Sequence, residues 1–174
     1  CDPRQAAQDT EEICLIMQPP ASGGVEGSKV IAAATAEAFR PGATVDSIIA
    51  ASKAYVSRNT REIIEEALAI ARKYPDTKAI REPIRQHFMP TYPYADAVET
   101  AAEVMALFWI TKGDVREGLV GATNLGRDTD CIGGMLGSIC GAYKGIQGVP
   151  SEWCELVQKA LDRNVVTMQK MSME

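Results

Sequence analysis

Apolar side chains recur at intervals of three to four residues along almost the whole chain, and alternating apolar and polar runs bounded by turn residues are absent. An interval near 3.6 residues is that of an amphipathic α-helix, whereas a half-buried β-strand alternates with a period of two. The pattern therefore predicts an all-α fold, a compact multi-helix bundle.

Prolines, glycines and helix-capping residues divide this pattern into nine predicted helices. Thr44 is expected to cap the third helix and Asp114 to open the seventh. Asn59, with Glu62 three residues later, resembles the capping box that opens a helix, and Pro83 is expected to interrupt the fifth helix. The predicted helices span residues 5–17, 28–39, 44–56, 59–73, 78–88, 95–111, 114–124, 128–144 and 150–164.

The segment between the first two helices, residues 20–27, contains Gly23, Gly24 and Gly27 and follows the pair Pro19-Pro20. Glycine and proline are the strongest local markers of turns, so the segment is predicted to be a glycine-rich loop. From composition alone, such a loop is an ordinary connection between two helices.

Length and charge limit the class of protein. The chain has 174 residues, 46% of them apolar, which predicts a single all-α domain over residues 1–174. The formal net charge is −5 and no segment concentrates Lys or Arg, so nucleic acid is not an expected partner. The longest uncharged apolar stretch, residues 131–143, is shorter than the roughly 20 residues that cross a bilayer, so no membrane span is expected.

The five cysteines include no C-x-x-C pair of the kind found in zinc or redox sites. They are interpreted as reduced thiols, which predicts a cytoplasmic protein. The first residues, beginning at Cys1, have neither an initiating Met nor the apolar stretch of a signal peptide, so the chain is interpreted as a fragment.

Asp128 and Asp130 are the strongest candidates for chemistry, because they stand two residues apart at a predicted loop-to-helix junction. Two carboxylates at such a junction can turn into one pocket, and Mg²⁺ is usually held by one or two carboxylates together with water. The alternative is that Asp128 caps the helix and Asp130 favours its positive end, each a common contact that stabilises a helix by about 1 kcal/mol.

The helix that follows carries Gly133, Gly137, Gly141 and Gly145 at intervals of four residues, and so on one face. Each glycine inside a helix costs about 0.5 to 1 kcal/mol relative to alanine. A helix that only had to fold would avoid them. Another element is therefore expected to pack very closely against this face of a glycine-rich central helix.

The segment 124–130, Asn-Leu-Gly-Arg-Asp-Thr-Asp, and the helix end 141–145, Gly-Ala-Tyr-Lys-Gly, together resemble the signature of the ADP-ribosylglycohydrolases. The similarity covers at least residues 94–156 and extends more weakly back to Gln18. It implies an all-α bundle and a metal-dependent hydrolase that cleaves a glycosidic bond of an ADP-ribosyl or related ribosyl substrate. The chain resembles the C-terminal portion of this family.

The resemblance also implies two Mg²⁺ ions, with Mn²⁺ as an alternative, held between acidic residues from both ends of the family's polypeptide. It makes Asp128 and Asp130 metal ligands. Cys131 stands where relatives usually carry Thr or Ser, whose hydroxyl also reaches a metal. Because a thiolate is a soft ligand poorly matched to Mg²⁺, Cys131 either leaves its position to water or indicates an altered metal preference.

Substrate binding is implied for the glycine-rich loop, whose backbone amides would approach the ribose and phosphates. Pro19 stands where relatives often carry a histidine before that loop. The expected partners are an ADP-ribosylated protein or an ADP-ribose-like small molecule. The substrate-binding residues implied by the resemblance are Ser22, Gly23, Gly24, Gly27, Gly126 and Arg127.

The family's N-terminal half, with its Gly-Asp-x-x-Gly opening and its Thr-Asp-Asp metal ligands, has no counterpart in the sequence. The catalytic acid or base would lie there, so no catalytic residue is assigned. A complementing N-terminal chain, or self-association through the surface left open, is therefore expected. The alternatives are a non-catalytic remnant that binds a nucleotide or a protein, and an enzyme for another ribosyl compound.

Two further side chains stay open to more than one interpretation. Glu99 could orient Arg127 or a metal-bound water, or it could be an ordinary glutamate at a helix start. His87 has no acid or thiol at a telling spacing, so a surface or packing role is expected.

Overall fold

Residues 1–163 are described by a computed structural model, and within them the chain forms nine α-helices, one short 3-10 helix and no β-strand. The predicted all-α bundle is confirmed, and the predicted end of the last helix at residue 164 lies outside the described residues. The helices are α1 (Pro3–Cys14), α2 (Gly23–Ala38), α3 (Val45–Ala54), α4 (Arg58–Ala71), α5 (Arg81–Phe88), α6 (Ala97–Thr111), α7 (Val115–Leu125), α8 (Thr129–Lys144) and α9 (Ser151–Arg163), with the 3-10 helix Ile146–Gly148 between the last two.

Most of these helices begin at a residue whose side chain accepts a hydrogen bond from a free backbone N–H of the first turn. Thr44 and Ser47 form a capping box at the start of α3, with both bonds at 3.0 Å. Asp114 accepts from the N–H of Glu117 at 2.8 Å, so both predicted caps are confirmed. Losing such a cap typically costs about 1 kcal/mol. The capping residues are Asp2, Ser22, Thr44, Ser57, Asp96 and Asp114.

Helix α4 is capped by Ser57, so the prediction that Asn59 opens it is wrong. The reason lies in another helix. Glu26 of α2 is buried and accepts hydrogen bonds from the Ser57 N–H at 2.6 Å and from the Thr60 hydroxyl at 2.9 Å. Burial raises the pKa of Glu26, but these bonds and the nearby Lys29 lower it below its usual value overall. A tertiary contact therefore decides where α4 begins.

Helix α5 begins at Arg81, and Pro83 does not interrupt it as predicted, because this proline is its third residue. The first N–H groups of a helix have no partner within the helix, so a proline there sacrifices no hydrogen bond. His87 on the same helix is exposed, with Nε2 3.0 Å from the carboxylate of Glu66, which confirms its predicted surface role.

Helix α6 is the most buried helix of the described chain. Every residue from Val98 to Phe108 is buried, and the helix packs against α2, α4, α7 and α8. A helix that is apolar on all sides has to be surrounded by other elements. Glu99 and Glu103 are its charged residues, one turn apart and each 1% exposed. Helix α6 therefore carries two carboxyl groups into the interior of the bundle.

Helix α2 begins at Gly23, so the prediction of a loop over residues 20–27 is wrong from that residue onward. Ser22 caps the helix, with its hydroxyl 3.4 Å from the N–H of Val25. Gly27 permits a close contact, because a Cβ there would lie 2.5 Å from the carbonyl oxygen of Ala97. The missing side chain lets α2 meet the start of α6 backbone to backbone.

Helix α8 packs against α2, α6 and α7 through its branched apolar residues and not through its glycines. A Cβ at Gly133 or Gly141 would meet no atom from elsewhere in residues 1–163 within 4 Å, and one at Gly137 would only touch Leu119 at 3.4 Å. The predicted close packing against the glycine face is therefore wrong within the described residues. The branched side chains bury more apolar surface than glycine does, so they take the inner face.

Within residues 1–163, no helix has the length and apolarity that a membrane crossing needs. All five cysteines are free thiols, as predicted. Cys140 is the buried one, and its burial raises the pKa of the thiol to about 12.

We expect Gly27→Ala to destabilise the fold by about 1 to 3 kcal/mol, because the added methyl group would overlap the Ala97 carbonyl and force the two helices apart. The matched control is Gly141→Ala on the open face of α8, which should stabilise the fold by about 0.5 to 1 kcal/mol. Urea unfolding followed by circular dichroism measures both. A loss of stability in Gly141→Ala would mean that the glycine face is covered.

Candidate metal centre and active site

The loop between α7 and α8, residues 126–128, places Asp128 at the start of α8. Gly126 has φ 90° and Arg127 has φ 59°, so two consecutive residues adopt left-handed conformations. Glycine does so freely, but a residue with a Cβ carries a cost of about 1 to 2 kcal/mol. The backbone of Arg127 therefore has to be held in place by other contacts.

Asp128 occupies the N-cap position of α8, yet its side chain makes no capping hydrogen bond. The alternative interpretation of Asp128 as a simple helix cap is therefore wrong. Neither Asp128 nor Asp130 forms an ion pair with any residue in the described range 1–163. Two carboxylates at this junction are thus left without a cationic partner.

Asp128, Asp130 and Cys131 lie together, with one oxygen or sulfur atom of each within 4.8 Å of the others. Asp130 and Cys131 are exposed, and Asp128 is half-buried. Two carboxylates open to water are the donor set that Mg²⁺ and Mn²⁺ use, since these ions keep several water ligands. The three residues predicted to be metal ligands are brought together, and their chemistry fits a divalent cation.

Cys131 is a neutral thiol in this arrangement. Its hydrogen bond to the Asp128 carboxylate raises the pKa of the thiol, and a small loss of hydration and the negative charges of Asp128 and Asp130 raise it further. A neutral thiol is a weak metal ligand, because the thiolate is the form that coordinates. Cys131 would therefore become a strong ligand only for an ion soft enough to displace its proton.

A cavity of about 650 Å³ opens beside this cluster, between α2, the start of α6 and the start of α8. Asp128 and Cys131 line it, and none of its lining residues within the range 1–163 is a Lys, Arg or His. Its volume falls within the range of roughly 300 to 1,000 Å³ that small-molecule sites occupy. The remaining walls are small or apolar and include Gly27, Ile31, Ala97, Thr100 and Met135.

Arg127 turns its side chain away from this cavity and into the bundle. Its Nη2 atom lies 2.6 Å from the carboxylate of Glu99, and the two side chains are only 9% and 1% exposed. The same nitrogen also donates to the carbonyl oxygens of Tyr92 at 3.2 Å and Pro93 at 3.0 Å. Glu99 therefore orients Arg127, which is one of its two predicted roles.

Glu103 lies one turn beyond Glu99 and is the most strongly perturbed carboxyl group of the site. Its pKa is raised to about 8, mainly by burial. The charges of Glu99 and Asp128 also raise the pKa, and those of Arg127 and Arg85 lower it. One oxygen each of Glu103 and Glu99 is buried and has no hydrogen-bond partner within residues 1–163. Glu103 is therefore mostly protonated and neutral at pH 7.

Gly126 gives room to a second guanidinium group. A Cβ at this position would lie 2.6 Å from Nη1 of Arg85, which reaches the loop from α5. Two guanidinium groups therefore restrain the loop that carries Asp128: that of Arg85, from α5, and that of Arg127, a residue of the loop itself.

The residues predicted to bind substrate are distributed over three environments. Gly27 lines the cavity together with the metal-ligand candidates. Ser22, Gly23 and Gly24 lie at the N-terminus of α2, outside the residues that line the cavity, and the Gln18 side chain lies against Gly24. Gly126 and Arg127 belong to the loop that leads into Asp128 and α8. Contacts of all six with substrate stay predictions.

Sequence reasoning missed Glu103 and Arg85. A usable signal existed for Glu103, because Glu99 and Glu103 are spaced i, i+4 in a segment that is otherwise apolar on every face. A helix of that composition is buried, so its carboxyl groups have to be paired or neutral. Arg85 had no such signal, because α5 exposes most of its polar residues.

The geometry defines an all-α bundle with paired aspartates at a loop-to-helix junction beside a ligand-sized cavity. The ADP-ribosylglycohydrolase family profile matches residues 1–172, and the chain therefore belongs to this family. The family supports a glycosyl-hydrolase type of function and ADP-ribose-type substrates. No curated protein and no solved structure gives a significant match to the chain.

Glu103 is expected to make the fold progressively less stable as the pH rises from 4.5 to about 8, with no further change above that range. Its pKa is about 8 in the folded state against 4.5 for the free side chain, so the folded state binds the extra proton. The stability that this proton contributes is complete below pH 4.5 and is lost as the pH passes 8. At about 1.36 kcal/mol per pKa unit, roughly 5 kcal/mol is the upper bound.

Urea unfolding between pH 4 and pH 9 measures this dependence. In Glu103→Gln the side chain is neutral at every pH, so the free energy of unfolding should depend less steeply on pH. The residues that face Glu103, namely Glu99, Asp128, Arg127 and Arg85, are unchanged in this variant. Glu62→Gln, at an exposed position, is the control that should retain the wild-type slope. An unchanged slope in Glu103→Gln would contradict the assignment.

Proposed function

We propose that this chain is part of a metal-dependent hydrolase that cleaves the glycosidic bond of an ADP-ribosyl or related ribosyl substrate. The observation that carries the proposal is the convergence of Asp128, Asp130 and Cys131 within 4.8 Å at the edge of the cavity. Asp128 makes no cap and neither aspartate makes an ion pair within the described chain, so both carboxylates are available to a cation.

Asp128 and Asp130 hold the cation in this proposal, with water in the remaining positions. Once bound, Mg²⁺ or Mn²⁺ would polarise the ribose hydroxyls and a water molecule near the anomeric carbon. Hydrolysis joins the hydroxyl of water to that carbon, and the leaving nitrogen or oxygen departs with a proton. The acid or base that moves this proton is not assigned to any of residues 1–163.

The cavity holds the ribosyl part of the substrate beside the ligand cluster. Gly27 and Ala97 line the cavity without bulky side chains, and Ile31 and Met135 supply apolar contacts. The phosphates lie towards the N-terminus of α2, where the amides beside Ser22 and Gly23 and the helix dipole favour an anion. Among residues 1–163 no basic side chain lines the cavity, so in this proposal the amides and the cation bind the phosphates.

A two-ion centre needs more ligands than these three residues, and no other group of three His, Cys, Asp or Glu side chains lies close enough within residues 1–163. A complementing chain, or another copy of this chain, supplies the remainder in our proposal. Exposed apolar side chains such as Ile13, Ile16 and Met17, each at least 67% exposed, support association. The same shortage of ligands favours the second candidate, a non-catalytic remnant that binds a nucleotide or a protein.

The metal site is tested by calorimetric titration of the chain with Mg²⁺ and Mn²⁺. We expect Asp130→Asn to weaken binding at least tenfold, because it removes one of two charged ligands. Asp46→Asn, at an exposed position in the first turn of α3, is the matched control and should bind as the wild type does. Equal affinity in Asp130→Asn and wild type would reject the metal centre.

Activity is measured as metal-dependent release of ADP-ribose from an ADP-ribosylated peptide, with and without added partner chains. Release that is lost in Asp130→Asn supports the hydrolase. Metal or nucleotide binding without release under every condition would favour the non-catalytic remnant.

Cys131→Thr is expected to change metal preference and not merely affinity. A hydroxyl oxygen suits Mg²⁺, whereas the wild-type thiol suits softer ions such as Cd²⁺ once its proton is lost. The ratio of Mg²⁺ to Cd²⁺ affinity should therefore rise at least tenfold in the variant, as measured by calorimetry. Cys154→Thr, at a half-buried cysteine of α9, is the control. An unchanged ratio would show that Cys131 does not ligate the ion.

A further inference from the structure

We propose that Glu99 and Arg127 are positioning residues, whose internal ion pair fixes the loop 126–128 and thereby aims Asp128 and Asp130 at one point. Arg127 then has no contact with substrate. This inference rests on the proposed function in one respect, namely that Asp128 and Asp130 bind a divalent cation.

The first observation is how completely Arg127 is engaged inside the bundle. Its Nη2 atom has three acceptors within 3.2 Å, namely the Glu99 carboxylate and the carbonyl oxygens of Tyr92 and Pro93. Only 9% of its side chain is exposed. A guanidinium group that turned to a phosphate in the cavity would abandon these acceptors and leave the Glu99 carboxylate buried without a counter-charge, which is strongly unfavourable.

The second observation is the backbone of the loop. Arg127 has φ 59°, a conformation that residues with a Cβ adopt only when their surroundings hold them there. The buried side chain supplies that restraint. Since Asp128 is the next residue, the torsion angles of Arg127 set the direction in which the Asp128 carboxylate leaves the chain, and Asp130 follows in the first turn of α8.

The third observation is that the loop is held from a second side. Nη1 of Arg85 occupies the space in which a side chain at Gly126 would lie. Helices α5 and α6 therefore both contact the loop through charged side chains, although neither contributes a metal-ligand candidate.

The inference separates two roles for Arg127 by their effect on metal binding in the absence of substrate. A residue that contacts substrate would leave the affinity for Mn²⁺ alone unchanged. A positioning residue would weaken it, since disturbed neighbours of metal ligands typically cost about 10- to 100-fold in affinity. We expect a loss of at least tenfold in both Glu99→Gln and Arg127→Met, and a smaller loss in Arg127→Lys, which keeps the charge.

Loss of stability alone is controlled by Glu37→Gln. This variant breaks another ion pair with a buried carboxylate, between Glu37 and Arg40 at 2.7 Å, on the part of α2 remote from the loop. Calorimetry with Mn²⁺ is performed well below the unfolding temperature of each variant. An equal loss of affinity in Glu37→Gln and Glu99→Gln would overturn the inference, as would wild-type affinity in Glu99→Gln and Arg127→Met.

The conformation of the loop is measured separately and without metal. A trifluoromethyl label on Cys131, with Cys1, Cys14 and Cys154 replaced by serine, gives a ¹⁹F resonance beside the loop, while Cys140 is buried and unlabelled. We expect one sharp resonance in the parent and in Glu37→Gln, and a broadened or split resonance in Glu99→Gln. If the parent chain binds no Mn²⁺, the metal proposal fails while this spectrum still decides the inference, and an unchanged resonance in Glu99→Gln overturns it.

Discussion

Burial of the Glu99 carboxylate against the Arg127 guanidinium is the contact on which the site depends. Helix α6 is surrounded by other helices, so a charge on it has to find a partner inside the bundle. That partner comes from the loop between α7 and α8, at 2.6 Å. One ion pair therefore joins α6 to the loop that presents the acidic residues. If the helix and the loop moved apart, at least one of the two buried charges would lose its partner.

A second constraint, the approach of α2 to α6 at Gly27, shapes the space in front of that loop. Because the backbones meet there, α2 lies close to the first turn of α6, and the cavity of about 650 Å³ opens between them and the start of α8. The walls come from three helices that are distant in sequence. The cavity is thus a product of helix packing, while the metal-ligand candidates lie within four consecutive residues, 128–131.

Periodicity predicted the all-α class and, within residues 1–163, the number of helices. Short local spacing predicted the grouping of Asp128 and Asp130, and the family resemblance added Cys131 to it. Prediction errors occurred where distant contacts decide. Glu26 of α2 accepts a hydrogen bond from the N–H of Ser57, the residue that caps α4, and α6 contacts α2 closely at Gly27. Composition does not distinguish a glycine in a turn from a helical glycine that allows a close contact with another backbone.

The glycine face of α8, against which no other element packs closely within residues 1–163, makes this helix dependent on its neighbours. With Gly133, Gly134, Gly137 and Gly141 in its interior, α8 has a low intrinsic tendency to be helical, and these glycines together cost on the order of 3 kcal/mol relative to alanine. A helix of this kind is not a stable nucleus in the unfolded chain. Its helical form therefore depends on α6 and α7, which cover its branched side chains, and the placement of the acidic residues at its start depends on the same packing.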